Sequence, residues 1–190
     1  MNNPLIWREE KREVIYTCPV FSVTQRTCRS PMDKLGTYTV LETLDWAIVI
    51  PVIEDQKGKQ FVMVRQWRHG AQELSLEFPG GVIKKDEESV QAALRELREE
   101  TGYTTRKITK LGQFNPNPAI MSNQVHFFLA EDLSYTGAQE LDEDEHVHVE
   151  TVAWNDVLNG VGKRPYIHAL MGTALALYLQ QLGLTSAMQI

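Results

Sequence analysis

The stretch from Pro79 to Tyr103 constrains this chain more than any other. It opens on a bend, Pro79-Gly80-Gly81, crosses a polar loop containing Glu87, and continues as an amphipathic segment from about Glu88 to Thr101 that stops at Gly102. Val90, Ala93, Leu94 and Leu97 fall at i, i+3, i+4 and i+7, the spacing of one apolar helix face, so that face is expected to turn into the core. Gly102 suits a left-handed helix cap. Glu96 and Glu100 project about 40° apart around the same helix, on another face, with Glu99 beside them. Two unit charges about 4 Å apart repel by roughly 4 kcal/mol at an effective dielectric near 20. Such a cluster persists in one of two ways: the carboxylates splay into water, or a divalent cation neutralises them. The helix pattern by itself leaves both open.

The flanking sequence predicts a mixed fold. Val14-Ile15-Tyr16, Val20 to Thr24 and Thr37 to Leu41 are β-rich runs within residues 12–44, a hairpin or small meander. Ala47 to Ile53 and Gln60 to Gln66 flank a polar turn and read as paired buried strands; Leu74 to Phe78 is extended. Strands are expected at 107–114, 124–130 and 146–154, and two helical stretches after Asn155, the second from about Tyr166 to Leu182 with Ala169, Leu170, Thr173, Leu177 and Leu179 on its packing positions. Strands mixed with helices indicate an α/β or α+β sandwich. The 190 residues, 43% hydrophobic and 23% charged, exclude a disordered or fibrous chain and fit one domain with a small appendage.

Charge and cysteine usage narrow the function classes. The net charge is −6, and the stretch between Lys110 and Lys163 holds nine acidic residues and no lysine or arginine. Such a surface does not grip a nucleic-acid backbone unaided. No apolar run reaches the roughly 18 residues of a membrane span. The first ten residues lack the apolar core of a secretory signal, and Cys18 and Cys28 read as small buried residues of a reduced, cytoplasmic protein.

From Gly81 onward the residues run Gly81, five residues, Glu87, seven residues, Arg95-Glu96-Leu97, one residue, Glu99-Glu100, one residue, Gly102-Tyr103. This arrangement resembles the Nudix box, G-x5-E-x7-R-E-U-x-E-E-x-G-U, at every fixed position, with Tyr103 where an aliphatic residue is usual. The resemblance implies an α/β/α sandwich around a mixed sheet, and hydrolysis of a nucleoside diphosphate linked to another moiety with Mg²⁺ or Mn²⁺. It also implies Glu96 and Glu100 as the main metal ligands, Glu99 assisting, and the Gly80 carbonyl as a further ligand. Arg95 is expected to pair with Glu87 or a neighbouring carboxylate. Hard carboxylate oxygens suit these hard cations.

Outside the box, Gln66-Trp67-Arg68 followed by Leu76-Glu77-Phe78-Pro79-Gly80-Gly81 is similar to the pattern of the ADP-ribose and nucleoside-diphosphate-sugar pyrophosphatase branch. So is Pro118, 15 residues beyond Tyr103. By that resemblance Arg68, Glu77 and Pro118 fall at substrate contacts, Arg68 gripping phosphate oxygens with its planar fork; Trp46, a further candidate contact, stands where the family more often has a small or polar residue. Trp46 has two readings, stacking on a nucleobase or packing inside the protein. Glu145, with Glu143 next, matches the branch's general base on a mobile loop, and a solvated acidic loop is the competing reading. His146 and His148 share a strand face, but no third zinc ligand is evident. The branch further implies that residues 1–45 form a dimerisation extension, exchanged between subunits, ahead of a Nudix domain at 46–190. A homodimer is expected. Cleavage of a dinucleotide such as NADH is an alternative, as is a non-catalytic nucleotide-sugar sensor; the intact set Glu87, Glu96, Glu99 and Glu100 weighs against the sensor.

Overall fold

Charged and β-branched residues make up most of positions 8–42, which build an antiparallel meander. In the computed structural model, which describes residues 3–56, 58–137, 139–141 and 145–184, this meander is β1 (Arg8–Thr17), β2 (Ser22–Arg29) and β3 (Leu35–Glu42), in that spatial order. The chain divides into two units, Met1–Asp45 with Asn115–Gln124, and Trp46–Phe114 with Val125–Ile190.

Within the first unit, ion pairs lace the strands together. Arg12 reaches Glu9 at 2.9 Å and Glu42 at 3.0 Å, Arg26 reaches Glu42 at 2.6 Å, and Arg29 reaches Glu10 at 2.6 Å. The 115–124 segment joins β3: the Leu41 amide donates to the Ile120 carbonyl at 2.7 Å, and the Ser122 amide to the Leu41 carbonyl at 3.1 Å. All of β1 is exposed, including Val14, Ile15 and Tyr16. Cys18 and Cys28 are free thiols, half-buried rather than buried as expected: Cys18 lies in the turn after β1 and Cys28 next to the end of β2.

The second unit is built on β4 (Trp46–Asp55), β5 (Gly58–Arg68), β6 (Glu73–Glu77), β7 (Gly80–Val82), β9 (Lys107–Phe114), β10 (Val125–Glu131) and β12 (His148–Ala153). The order is β12-β5-β4-β10-β9, with β6 added to β5 and β7 to β4. β10 runs parallel to β4 and the other pairs are antiparallel, so the sheet is mixed. A short ribbon pairs β8 (Tyr103–Thr104) with β11 (Ser134–Tyr135). Successive side chains of β4 point to opposite faces. Ala47 and Val49 meet Ala92, Ala93 and Leu97 of α1 (Ser89–Thr101). Ile48, Ile50 and Val52 join the opposite core, with Val157 of α2 (Trp154–Gly160) and Leu170, Met171, Ala174, Leu175 and Tyr178 of α3 (Ala169–Gln181). Helices on both faces of a mixed sheet make the expected α/β/α sandwich. Among the described residues no helix is long and apolar enough to cross a membrane.

Three local expectations shift. The buried stripe of α3 runs through Leu170, Met171, Ala174, Leu175 and Tyr178, so Ala169 faces out and Thr173, Leu177 and Leu179 flank the stripe. β12 begins at His148, not at His146. The buried face of α1 includes Ala92 but leaves Leu94 only partly covered, because the helix is rolled to bring Glu96 and Glu100 inside.

The Pro79-Gly80-Gly81 bend fixes where α1 sits. Pro79 accepts the Val49 amide at 2.9 Å, and Gly80 and Gly81 pair with Ile48 and Ala47. A Cβ at Gly80 would strike the Ala47 carbonyl and stand 2.9 Å from the Ile48 Cα. Backbone cannot yield as a side chain can, so this position requires glycine for close approach.

Candidate active site

α1 carries its carboxylates inward. Glu96 is 8% exposed and Glu100 3%. The arrangement in which carboxylates splay into water is therefore not that of these two. The helix ends where the sequence says it should: Gly102 adopts φ 72° and its amide donates to the Arg98 carbonyl at 2.8 Å.

Each carboxylate is oriented by the bend or by one arginine. Glu100 Oε2 accepts the Gly80 amide at 2.8 Å. A Cβ on Gly81 would lie 2.5 Å from Glu96 Oε1, so the bend packs directly on that carboxylate. Arg95 fans across the rest. It donates to Glu87 Oε1 (2.8 Å) and Oε2 (3.0 Å), Glu96 Oε1 (2.7 Å), Glu99 Oε2 (3.0 Å) and the Val82 carbonyl (3.0 Å). One cation thus orients three of the box glutamates.

The electrostatics are unbalanced. Burial pushes the Glu100 carboxyl up to about 8; the Gly80 amide opposes this, and the charges of Glu96 and Glu145 add to it. Burial also raises Glu96, against the pull of Arg95. The hydrogen bonds of Arg95 lower Glu87. Two buried acids that resist ionising together, on a hard oxygen donor set, fit a divalent cation. Glu96, Glu100, Glu99 and the Gly80 carbonyl are the oxygens available at this bend. Among the described residues no three acidic or histidine side chains already converge as a ligand cage. The pair is an open set that needs ligands beyond its side chains.

The remaining candidates sit as follows. Arg68, at the end of β5, donates through Nε and Nη2 to Glu77 at 2.8 and 2.6 Å, and its charge is felt at Glu100. Glu145 is exposed, its charge reaches Glu96 and Glu100, and it lines a groove of about 410 Å³ with Arg65, Leu74 and His148. Trp46 is half-buried and packs against the core that holds Ile48. Pro118 belongs to the first unit and is exposed there. Glu143 lies outside the described residues.

Residues 43–170 match the family model described as NUDIX domain. The chain belongs to the Nudix family. It is 36% identical over 176 residues to the ADP-ribose pyrophosphatase of Bacillus subtilis (strain 168), covering 90% of this chain and 93% of that one. It is 32% identical over 116 residues to the methanol dehydrogenase activator of Bacillus methanolicus, which covers 60% of this chain and 63% of that protein. The fold is similar to a crystal structure of ADP compounds hydrolase, with a TM-score of 0.81 at 20% identity over 97% of this chain and 100% of that chain.

Two features around this site carry no signal in the sequence, and the first concerns the Nudix helix. A loop docks on its C-terminal end: the Glu140 amide donates to the Glu99 carbonyl at 2.9 Å, Gln139 Nε2 to the Glu100 carbonyl at 2.6 Å, and the Thr136 amide to the Gly102 carbonyl at 2.8 Å. This satisfies carbonyls that the end of a helix leaves without partners. The second is His168, whose Nδ1 lies 2.7 Å from Glu77 Oε2. A lone histidine before a tail helix carries no spacing signal, and neither does a loop glutamine.

The raised Glu100 carboxyl has a stability consequence. In an unfolded chain the group titrates near its ordinary 4.5, whereas in the folded protein it does so near 8. Between these values the folded state binds more protons, so metal-free stability falls as pH rises through that window. Glu100→Gln removes this dependence. The metal-free wild type is expected to lose several °C more in unfolding midpoint than the variant between pH 5 and 8, on the order of 5 °C. Millimolar Mg²⁺ should raise the wild-type midpoint more at pH 8 than at pH 6, where a proton must first leave. Parallel pH profiles for the two proteins, measured by thermal denaturation, would contradict this.

Proposed function

We propose that this chain is a Mg²⁺- or Mn²⁺-dependent Nudix pyrophosphatase acting on ADP-ribose or a closely related nucleoside diphosphate sugar, releasing a nucleoside monophosphate and a sugar phosphate. The observation that carries the reading is the pair of buried carboxylates, Glu96 and Glu100, held against the Gly80-Gly81 bend next to Arg68. The full-length similarity to a named ADP-ribose pyrophosphatase supports the substrate class.

Glu96 and Glu100, with Glu99 and the Gly80 carbonyl, would hold the cation, which polarises the pyrophosphate and makes a bound water more acidic. Arg95 keeps Glu87, Glu96 and Glu99 in fixed directions, so little reorganisation is needed when charge develops. Arg68 binds pyrophosphate oxygens through the guanidinium edge that Glu77 leaves open. Glu145, or Glu143 two residues before it, accepts the proton of the attacking water. The new bond joins the water oxygen to phosphorus, and the bridging oxygen leaves with the other phosphate.

Residues 1–45 are proposed as a dimerisation extension. Among the described residues no buried hydrophobic side chain precedes Ala47, so the meander lacks the apolar face that a small sheet needs, and β1 is an edge strand whose Val14, Ile15 and Tyr16 are each more than half exposed. A second copy of the chain is the partner that would cover them, in a cytoplasmic homodimer. Sedimentation at micromolar concentration should give a dimer, and Val14→Asp combined with Tyr16→Asp should give a monomer. A wild-type monomer would refute the extension's role.

The activity test is product release from ADP-ribose, ADP-glucose, GDP-mannose, UDP-glucose and NADH with Mg²⁺. ADP-ribose should be turned over best. Glu100→Gln should cost roughly a thousandfold in rate, about 4 kcal/mol of transition-state stabilisation. Tight binding of ADP-ribose without turnover would support the sensor alternative instead.

A further inference from the structure

Glu77 is a fully buried carboxylate that belongs to neither the bend nor the helix of the proposed metal site. It is 2% exposed and lies on β6, three residues before Gly80. Its Oε1 accepts Arg68 Nε at 2.8 Å; its Oε2 accepts both Arg68 Nη2 at 2.6 Å and His168 Nδ1 at 2.7 Å. Burial alone would raise this acid, but the hydrogen bonds from Arg68 and then from His168 outweigh it and hold the carboxyl at about 2. Glu77 is therefore an acceptor only, and His168 Nδ1 carries the proton between them.

β6 and the residue after it are tied to the segment that carries His168. The Leu76 amide donates to the Pro165 carbonyl at 3.1 Å, and the Phe78 amide to Met171 Sδ at 3.1 Å. Leu76, Glu77 and Phe78 are thus each held by residues 165, 168 and 171, in order. His168 immediately precedes α3, whose Leu170, Met171 and Ala174 are buried in the core. The start of a core helix therefore holds the same carboxylate that anchors Arg68, the two sharing Glu77 Oε2. The Arg68 side chain is 41% exposed, so the guanidinium runs from a buried anchor to an open edge.

We propose that His168 is a positioning residue for Arg68: by holding Glu77, it sets the direction in which the guanidinium's free edge meets the pyrophosphate oxygens of the substrate. The inference rests on the reading of Arg68 as the phosphate contact. Physically, the last torsion of a glutamate is soft. Without His168, Oε2 loses a donor and the carboxylate rotates to recover one, carrying with it the arginine bonded to the same two oxygens. A guanidinium displaced by a fraction of an ångström no longer meets a phosphate edge-on.

The test compares His168→Ala, His168→Asn and Arg68→Ala, alone and combined, in the full chain with Mg²⁺ and ADP-ribose. His168→Ala should raise KM about tenfold and change kcat by less than about threefold. His168→Asn, whose amide nitrogen takes the place of Nδ1, should recover most of the loss. In the Arg68→Ala background, His168→Ala should add nothing further. A readout independent of turnover is the Arg68 Nε–Hε resonance of the metal-free protein. It should be displaced from the solvent-exposed arginine position in wild type and His168→Asn, and return to it in His168→Ala. An unchanged resonance in His168→Ala, a full additional loss in the double variant, or no recovery with asparagine overturns the inference. If Arg68→Ala itself leaves KM unchanged, it is the phosphate-contact reading that falls.

Discussion

Two carboxylates buried side by side against a glycine bend are the arrangement on which the rest of this structure depends. Removing a carboxylate from water without compensation is among the most costly things a fold can do. Here the compensation is partial. Glu100 receives one backbone amide, from Gly80, and Glu96 receives one finger of Arg95, which also serves Glu87 and Glu99. Three acids share the Arg95 guanidinium, and the fourth and deepest, Glu100, lies outside its reach and is pushed up to about 8 by burial. Such a site is destabilising until a cation arrives. It is a case of local stability given up for function, which the sandwich around it must support.

The support is visible in how the site is mounted. Gly80 and Gly81 pair with Ile48 and Ala47, whose side chains point into opposite cores, so the bend is clamped by both layers of the sandwich. β5 and β6 bring Arg68 and Glu77 together, and the start of α3 holds Glu77 from beyond the sheet edge. A loop satisfies the last carbonyls of the Nudix helix. Glu96, Glu100, Arg68 and Glu77 each therefore lie on an element whose other face is core.

What the sequence revealed was what is local. The helix from Ser89 to Thr101, its glycine stop and the spacing of its glutamates could be read directly, because capping and helical period are properties of a few adjacent residues. The strands flanking Glu54 to Lys59 were equally plain. The roll of α1 was not legible. Apolar spacing argues that leucines go in and glutamates out, and nothing in the pattern says that Leu94 is half-covered while Glu96 and Glu100 are buried. The same blindness applied to α3, whose uniformly apolar composition leaves its buried face undetermined. His168 and Glu77 are 91 positions apart, and no periodicity links residues joined only by the closing of a sheet against a helix. The first strand was expected at Val14 to Tyr16, within residues 12–44, but begins at Arg8, because cross-strand pairs such as Arg29 with Glu10 extend it through residues too polar to look like strand.

In the proposed function Glu96 and Glu100 jointly hold the cation that activates the pyrophosphate. The most direct measurement is a crystal structure of the chain with Mn²⁺ and an ADP-ribose analogue whose bridging oxygen is replaced by methylene, using the anomalous signal of manganese. Manganese is expected between Glu96 and Glu100, with oxygen ligands at about 2.1 Å as for small hard cations. The analogue's phosphates are expected to face Arg68. Manganese bound elsewhere, with Glu96 and Glu100 keeping only the Arg95 and Gly80 contacts, would contradict the proposed function.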